Sequence, residues 1–272
     1  MLMKPFQIHT PVSPGRRKAL QWAGGGLATL LVPSLAHSQA WRQVDAVRAS
    51  VGDAPVSDGS LRLTLPLVAE DGSSVPLTLG ADKAEGDGRI ARVEIFAPGN
   101  PTPEVAVFEF GPEVLQVDLT TRIRLSESQT VVAVAHTVDG RVHVAERAVR
   151  VTTSGCIAPA QSDPASEMQA RVRVPRSWKA DAPGEVLTMI SHPMTTGLQP
   201  DARGETPPTR IINRFEATLD GRSVVSARFF RSLAANPYLK FGLAPRQEGE
   251  LRMVWTEDTG RSVEHAERVR MG

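Results

Sequence analysis

From residue 60 to the end of the chain, apolar side chains recur at every second position rather than at every third or fourth. LRLTLPLVA, SSVPLTLG, IARVEIFA, EVAVFEF, VLQVDLTTRIRL, TVVAVAHTV and RVHVAERAVRVT follow one another in the first half. Such alternation puts one side of an extended chain on a core and the other in water, so each run predicts a short β-strand. Asp71-Gly72, Pro98-Gly99-Asn100 and Asp139-Gly140 separate the runs, and Asp139-Gly140 between two alternating segments signals a hairpin. QARVRVP, GEVLTMISHPM, TRIINRFEATLDGRSVVSARFF, NPYLKFGLAP and GELRMVWTEDTGRSVEHAERVRM repeat the style in the second half, with turns at Asp220-Gly221 and Asp258-Thr259-Gly260. A short helix is predicted only for AWRQVDAVRASVG, ahead of the strands. The expected fold class is all-β, with two β-sandwiches in tandem. The first has roughly seven strands, and Trp178, Phe215, Phe229, Tyr238, Phe241 and Trp255 anchor the core of the second.

The first forty residues read as a cleavable export signal. Lys4, Arg16, Arg17 and Lys18 precede the apolar stretch Ala19 to Leu35, and Ser38-Gln39-Ala40 offers small residues for cleavage. Arg16-Arg17 and the weakly hydrophobic segment WAGGGLATLLVP resemble a twin-arginine signal, which delivers a folded protein to the periplasm. Gly24-Gly25-Gly26 and Pro33 argue against a buried helix, and no membrane anchor is expected. Without this leader the chain holds 27 basic and 30 acidic residues, and division at residue 160 gives halves of −5 and +2. The contrast favours docking of the halves, and the lack of a concentrated basic stripe argues against nucleic acid as a partner.

The chain has a single cysteine, Cys156. One thiol excludes an intrachain disulfide framework, an all-thiolate metal cluster and a Cys-x-x-Cys redox pair. Two readings stay open: an inert, buried small residue, or an exposed thiol that another protein's active site can reach. Its address favours the second. Thr152-Thr153-Ser154-Gly155 brings a strand to its end, and SGCIAPAQSDPASEMQ mixes Ser, Pro, Ala and Gln without alternation, as a connection does. Activation of the thiol as a nucleophile needs a cationic neighbour or a helix N-terminus, and the nearest basic residues are Arg147 and Arg150.

Four histidines lie outside the leader. His136 and His143 flank the Asp139-Gly140 turn, where they either face each other or stand solvated, and His265 sits in a polar strand. A Cys-His hydrolase would need one imidazole within reach of the thiol. A zinc site would need three or four nitrogen or oxygen ligands from scattered positions. No metal and no catalytic residue are expected. The polar loop SHPMTTG, with Ser191, His192, Pro193, Met194 and Gly197, is either an ordinary surface loop or a contact surface for a partner.

Several longer stretches carry a resemblance. LPLVAEDGSSVPLTL, APGNPTPEVAVFEF, TRIRLSESQTVVAVAHTVDG and the approach to Cys156 resemble SoxY of the thiosulfate-oxidation carrier. ISHPMTTG, PPTRIINRFEATLDGRSVVSARFFRSLAANPYLKFGL and LRMVWTEDTG resemble its partner SoxZ. The chain thus looks like the two subunits fused in that order, and is similar to SoxYZ-like carriers associated with quinoprotein dehydrogenases. The resemblance implies two immunoglobulin-like sandwiches, a SoxY-like one at 41–153 and a SoxZ-like one at 169–272, joined by a cysteine-bearing linker at 154–168.

It also implies a periplasmic, non-enzymatic carrier. Sulfur intermediates would be attached covalently to Cys156, on an arm given freedom by Ser154 and Gly155. There would be no cofactor beyond that adduct. Periplasmic sulfur-oxidising enzymes, c-type cytochromes or a quinoprotein dehydrogenase would be the partners. The family's arm is a Gly-Gly-Cys-Gly-Gly terminus, whereas here Ser154-Gly155-Cys156-Ile157-Ala158-Pro159 keeps one of its glycines and the chain continues. A shorter reach follows. The alternative function is a noncovalent accessory protein of a periplasmic quinoprotein dehydrogenase.

Overall fold

A computed structural model of the chain describes residues 40–57, 61–82, 88–154, 168–198, 200 and 204–272. The expected leader, apart from Ala40, and most of the expected linker, including Gly155 and Cys156, lie outside the described residues. The predicted helix is present as a 3-10 turn, Ala40–Gln43, followed by α1, Asp45–Val51. Nine strands follow in the first half: β1 (Val56–Ser57), β2 (Leu61–Thr64), β3 (Val68–Asp71), β4 (Val75–Ala81), β5 (Ile90–Phe96), β6 (Glu104–Phe110), β7 (Asp118–Ile123), β8 (Gln129–Thr137) and β9 (Val142–Thr153). The second half contributes β10 (Ala170–Arg173), β11 (Gly184–Ile190), β12 (Ile212–Leu219), β13 (Arg222–Phe229), β14 (Tyr238–Leu243), β15 (Gly249–Glu257) and β16 (Ser262–Val269).

These strands form two layers. A ten-stranded sheet runs β1-β9-β8-β5-β6-β13-β12-β15-β16, with β3 added alongside β9, and a six-stranded sheet runs β10-β11-β14-β7-β4-β2. The tandem sandwiches are therefore joined edge to edge, and each sheet passes without a break from one half into the other. In the large sheet β6 meets β13 in antiparallel register from Phe110↔Val225 to Ala106↔Phe229. In the small sheet β7 meets β14 from Thr121↔Leu239 to Leu119↔Phe241. Alternation supplies the inner faces: Leu77, Leu79, Phe108, Leu119, Phe215, Phe241 and Trp255 are fully buried in one cluster drawn from both halves. Phe108 and Phe229 meet edge to face across the seam, with ring centroids 6.0 Å apart.

Of the six expected anchors, Trp178, Phe215, Phe229, Phe241 and Trp255 are buried. Tyr238 is not. It opens β14, is half-buried, and lies under the Arg122 guanidinium at 5.4 Å. Helix α1 covers the outer face of the large sheet: Val47 and Val51, four residues apart, share a small apolar cluster with Trp41, Phe96, Val132, Val134 and Val142. The Asp139-Gly140 turn forms as predicted, with Gly140 at φ +82°. His136 and His143 do not face each other across it. His136 pairs with Val142 and His143 with Ala135, a register that sends the two imidazoles to opposite faces.

Because the core is shared across the seam, Phe108→Ala is expected to cost about 3–5 kcal/mol. Urea unfolding followed by near-UV circular dichroism and tryptophan fluorescence should give one transition that shifts as a whole. Two resolved transitions, with only one moved by the substitution, would contradict a single cooperative sandwich.

Candidate functional site

Strand β9 runs toward Cys156 and is held firmly to its last residue. Its far end pairs with β3 in parallel, at Val68↔Arg150, Ala69↔Val151 and Asp71↔Thr153. The Thr152 hydroxyl donates to the Glu70 carbonyl at 2.7 Å, and Ser128 Oγ accepts from the Val151 N–H at 2.9 Å. The strand then meets the Asp71-Gly72 turn, where the Gly72 N–H donates to the Thr153 carbonyl at 2.8 Å. Ser154, the first residue of the expected arm and the last one described there, is half-buried. Covalent geometry keeps residue 156 within two peptide units of it.

The same end of the sandwich holds the SHPMTTG loop. The Gly72 carbonyl accepts from the Leu125 N–H at 2.8 Å. Next to Leu125, the buried Arg124 donates from Nη2 to the Met194 carbonyl at 3.0 Å and to the Pro193 carbonyl at 3.3 Å. Arg124 also takes the seam into this corner. Its N–H donates to the Ser232 carbonyl at 2.7 Å, and its carbonyl accepts from Asn100 Nδ2 at 2.8 Å. Thus Thr153, Gly72, Leu125, Arg124 and Met194 form one hydrogen-bonded path from the root of the arm to the loop.

Within the loop, the side chains of His192, Pro193 and Met194 point inward. His192, Met194 and Thr196 are buried, as is Pro193, while Ser191 and Gly197 are half-buried and Leu198 is exposed. What the loop offers to solvent is therefore Ser191, Thr195 and Gly197, with Leu198 after them, rather than its imidazole. Met194 sits at φ +51°, a conformation that costs free energy for a residue that carries a Cβ. It persists because its N–H donates to His192 Nδ1 at 3.0 Å, its sulfur accepts from the Ile212 N–H at 3.2 Å, and its carbonyl is held by Arg124. Gly197, at φ +70°, turns against Thr209, whose Oγ1 would lie 2.7 Å from a Cβ at that position.

His192 is a buried latch. Since Nδ1 accepts from Met194, Nε2 carries the proton and donates to Glu257 Oε1 at 2.9 Å. Glu257, at the end of β15, also accepts from Arg210 Nε at 2.6 Å and from the Thr259 hydroxyl. Burial opposes the charge on Glu257, but the bonds from Thr259, His192 and Arg210 outweigh it and hold the carboxyl at about 2. Burial is the main force on His192 and pushes its pKa down, so the ring stays neutral. Both ring nitrogens are used inside the fold, and neither is left for a thiol. No spacing motif announces this cluster, because Glu257 lies 65 residues from His192 in sequence.

The remaining described histidines are also engaged. His136 Nε2 lies 3.3 Å from both Glu94 Oε1 and Ser50 Oγ, and Ser50 Oγ donates to Glu94 at 2.8 Å. A catalytic base would be oriented through its other nitrogen, whereas here serine and carboxylate share one. The trio fastens α1 to the sheet. His143 Nδ1 is 3.1 Å from the Ser57 carbonyl, and His265 Nε2 is 2.9 Å from Glu267. Among the described residues no group of three or more His, Cys, Asp or Glu side chains is placed to hold a metal ion. Among them, too, no helix is long and apolar enough to cross a membrane. Among the described residues Leu67 and Val68 are the most exposed large apolar side chains, at 67% and 50%. They lie beside Arg150 on the strand that leads to the arm.

Sequence comparison identifies the family to which this double-layered β-sandwich belongs. Residues 47–156 match the family model of the sulfur oxidation protein SoxY, and residues 172–268 that of the sulphur oxidation protein SoxZ. The chain belongs to these families, carrying a SoxY domain and a SoxZ domain in tandem. It is similar to the structure of the sulfur carrier protein SoxY from Chlorobium limicola f thiosulfatophilum, with 30% identity and a TM-score of 0.35 over 42% of this chain and 98% of that one. Two other similar structures cover most of this chain but only a small part of their own. A β-glycosidase from Bacteroides vulgatus is 12% identical with a TM-score of 0.23, over 82% of this chain and 26% of that one. A β-glucuronidase from glycoside hydrolase family 2 is 10% identical with a TM-score of 0.25, over 78% and 20%. No curated protein matches the chain in sequence.

The latch fixes a pH dependence. Glu257 titrates from an ordinary 4.5 down to about 2, and His192 below an ordinary 6.5, so the unfolded chain takes up both protons at higher pH than the native one. Their contribution to stability is complete above pH 6.5, begins to fall below it, and is lost further as pH drops from 4.5 toward 2. Glu257→Gln is expected to cost about 3 kcal/mol at neutral pH by stranding buried partners. Thermal melts across the acid range should then show a shallower decline than the parent protein gives; an equal slope would contradict the latch.

Proposed function

We propose that the protein is a periplasmic carrier that holds sulfur intermediates covalently on Cys156 and presents them to partner oxidoreductases, with no turnover of its own. The observation that carries this reading is positional: the chain's only thiol falls at the last residue of the SoxY match. The strand before it supports the reading, since a root fixed by β3 and the Gly72 turn gives a short arm a firm base. Attachment forms a bond between Sγ and a cargo sulfur and releases the thiol proton. With a cargo sulfur at the thiol level this is a two-electron oxidation, and a c-type cytochrome or a quinoprotein dehydrogenase is the class of partner that takes the electrons. A partner enzyme also frees the oxidised cargo. The exposed Leu67 and Val68, beside the arm's root, give such partners an apolar footing.

The departure from a glycine-rich terminus bears on the client. A linker that continues past Cys156 enters a partner as a doubled-back loop, and this suits a wider entrance than a free tip needs.

Intact-mass analysis of protein purified from the periplasm should show a reducible increment that maps to Cys156 and is absent from Cys156→Ala. A persistently unmodified thiol, with pathway flux unchanged in the variant, would overturn the proposal. If Cys156→Ala captured its partners and restored flux in full, the protein would instead be a noncovalent accessory of a periplasmic dehydrogenase.

A further inference from the structure

The outer face of the large sheet carries a feature that neither the arm nor its loop uses. Where β5, β6, β13 and β12 cross the seam, the solvent side sinks into a hollow of about 780 Å³. A second, of about 810 Å³, adjoins it on the side walled by α1. Arg92, Val107, Arg228 and Phe230 border both. Hollows of this size hold small organic molecules.

The charges in the first hollow are arranged against the sheet's own stability. Arg214 on β12 and Arg228 on β13 are directly opposite in register, so their side chains rise from the same face. Like charges so placed repel. Among the described residues neither guanidinium makes an ion pair, and Arg228 rests over the Phe230 ring at 5.5 Å. Arg92 spends Nη2 on Glu94 at 3.3 Å, while its Nε is buried without an acceptor.

The carboxylates nearby each have a partner other than Arg214 and Arg228. Glu94 is held by Ser50 and His136, and Glu257 by the His192 latch. Glu109 accepts from Ser226 at 3.2 Å, and Asp258 accepts from the Ile211 N–H at 3.2 Å. Glu104 borders only the hollow beside α1. Three guanidiniums therefore converge on an apolar floor of Val107 and Phe230 with donors to spare. A local conflict of this kind in an otherwise consistent sheet is the mark of a functional position.

We propose that this hollow binds a small organic acid, with its carboxylate spanning Arg214 and Arg228 and its apolar body lying on Val107 and Phe230. Guanidinium and carboxylate match in plane and spacing, so the acid relieves the repulsion between the two arginines. The Nε of Arg92 supplies a further donor at the border. Its described lining includes no residue of β9, and the carrier reading neither supports the proposal nor depends on it.

Calorimetric titration of the full chain tests this with benzoate, with sulfate as an anion lacking an apolar body, and with a short oligoglutamate peptide. Benzoate should saturate one site and bind more tightly than sulfate. Arg214→Gln and Arg228→Gln should each weaken it about tenfold, the scale of one hydrogen bond to a charged group. Cys156→Ala should leave it unchanged. Without ligand, Arg228→Gln should melt at or above the temperature of the parent chain, since it removes a repulsion. The proposal is overturned by any of four results: no saturable benzoate binding, binding indifferent to both arginine substitutions, sulfate binding as tightly, or a lowered melt. Binding of oligoglutamate without benzoate would also overturn it, and would make the face a docking surface for an acidic protein segment.

Discussion

Everything else in the molecule depends on two short backbone ladders, β6 with β13 and β7 with β14. An unpaired edge strand presents a row of free N–H and C=O groups, and each half would present two such edges at this join. Pairing them satisfies those groups and closes the core in the same step, because the inner-facing Phe108 and Leu119 then pack with Phe229 and Phe241. The opposite net charges of the halves add long-range attraction, but salt screens attraction between exposed charges. The ladders and the shared core are what hold the halves together. The short range of these forces is also what sets the geometry, since backbone register leaves no freedom to slide.

The corner beyond β7 shows what that geometry is used for. Arg124 follows β7 directly, and burying a guanidinium is costly unless carbonyls receive it. Its main-chain bond to Ser232 belongs to the seam, and its side-chain bonds to Pro193 and Met194 belong to the loop. Leu125, the next residue, bonds Gly72, which bonds Thr153 at the root of the arm. One buried charge thus places three pieces of irregular backbone relative to one another. The strained Met194 and the His192 latch fit the same logic: a polar loop held from several directions can keep a conformation that its own residues would not choose.

The strands were legible because burial on one face writes a period of two into the sequence, and the Asp139-Gly140 and Asp220-Gly221 turns because few other residues accept the left-handed backbone angles found there. The pairing of strands was not, since alternation says which side faces the core and nothing about the neighbour; β6 gives no sign that its partner lies more than a hundred residues away. Register fails for the same reason. His136 and His143 end on opposite faces because the turn between them has one parity and not the other. Tyr238 looked like a core aromatic from its composition alone, yet it opens a strand where its ring stacks under Arg122. At the site, the end of β9 at Thr153 could be read from where the alternation stops, while the Glu257, Arg210 and Thr259 partners of His192 could not, being gathered by the fold from distant segments.

The fusion also changes what the connection between the halves has to accomplish. Tethering two partners raises their effective concentration, but a tether adds little once the partners share both sheets and a core. Here the seam already does the holding, so the connection is free of that duty. Its two ends are nonetheless fixed close to the same corner: Thr153 bonds Gly72 at one end, and at the other the Gln169 carbonyl accepts from the Ser191 N–H, beside the loop that Arg124 holds. A connection relieved of structural work and rooted at both ends is a place where a reactive residue can be kept without endangering the fold. On the carrier reading, that explains why the single thiol lies there rather than on a strand. A cysteine inside either sheet would have to trade packing against access.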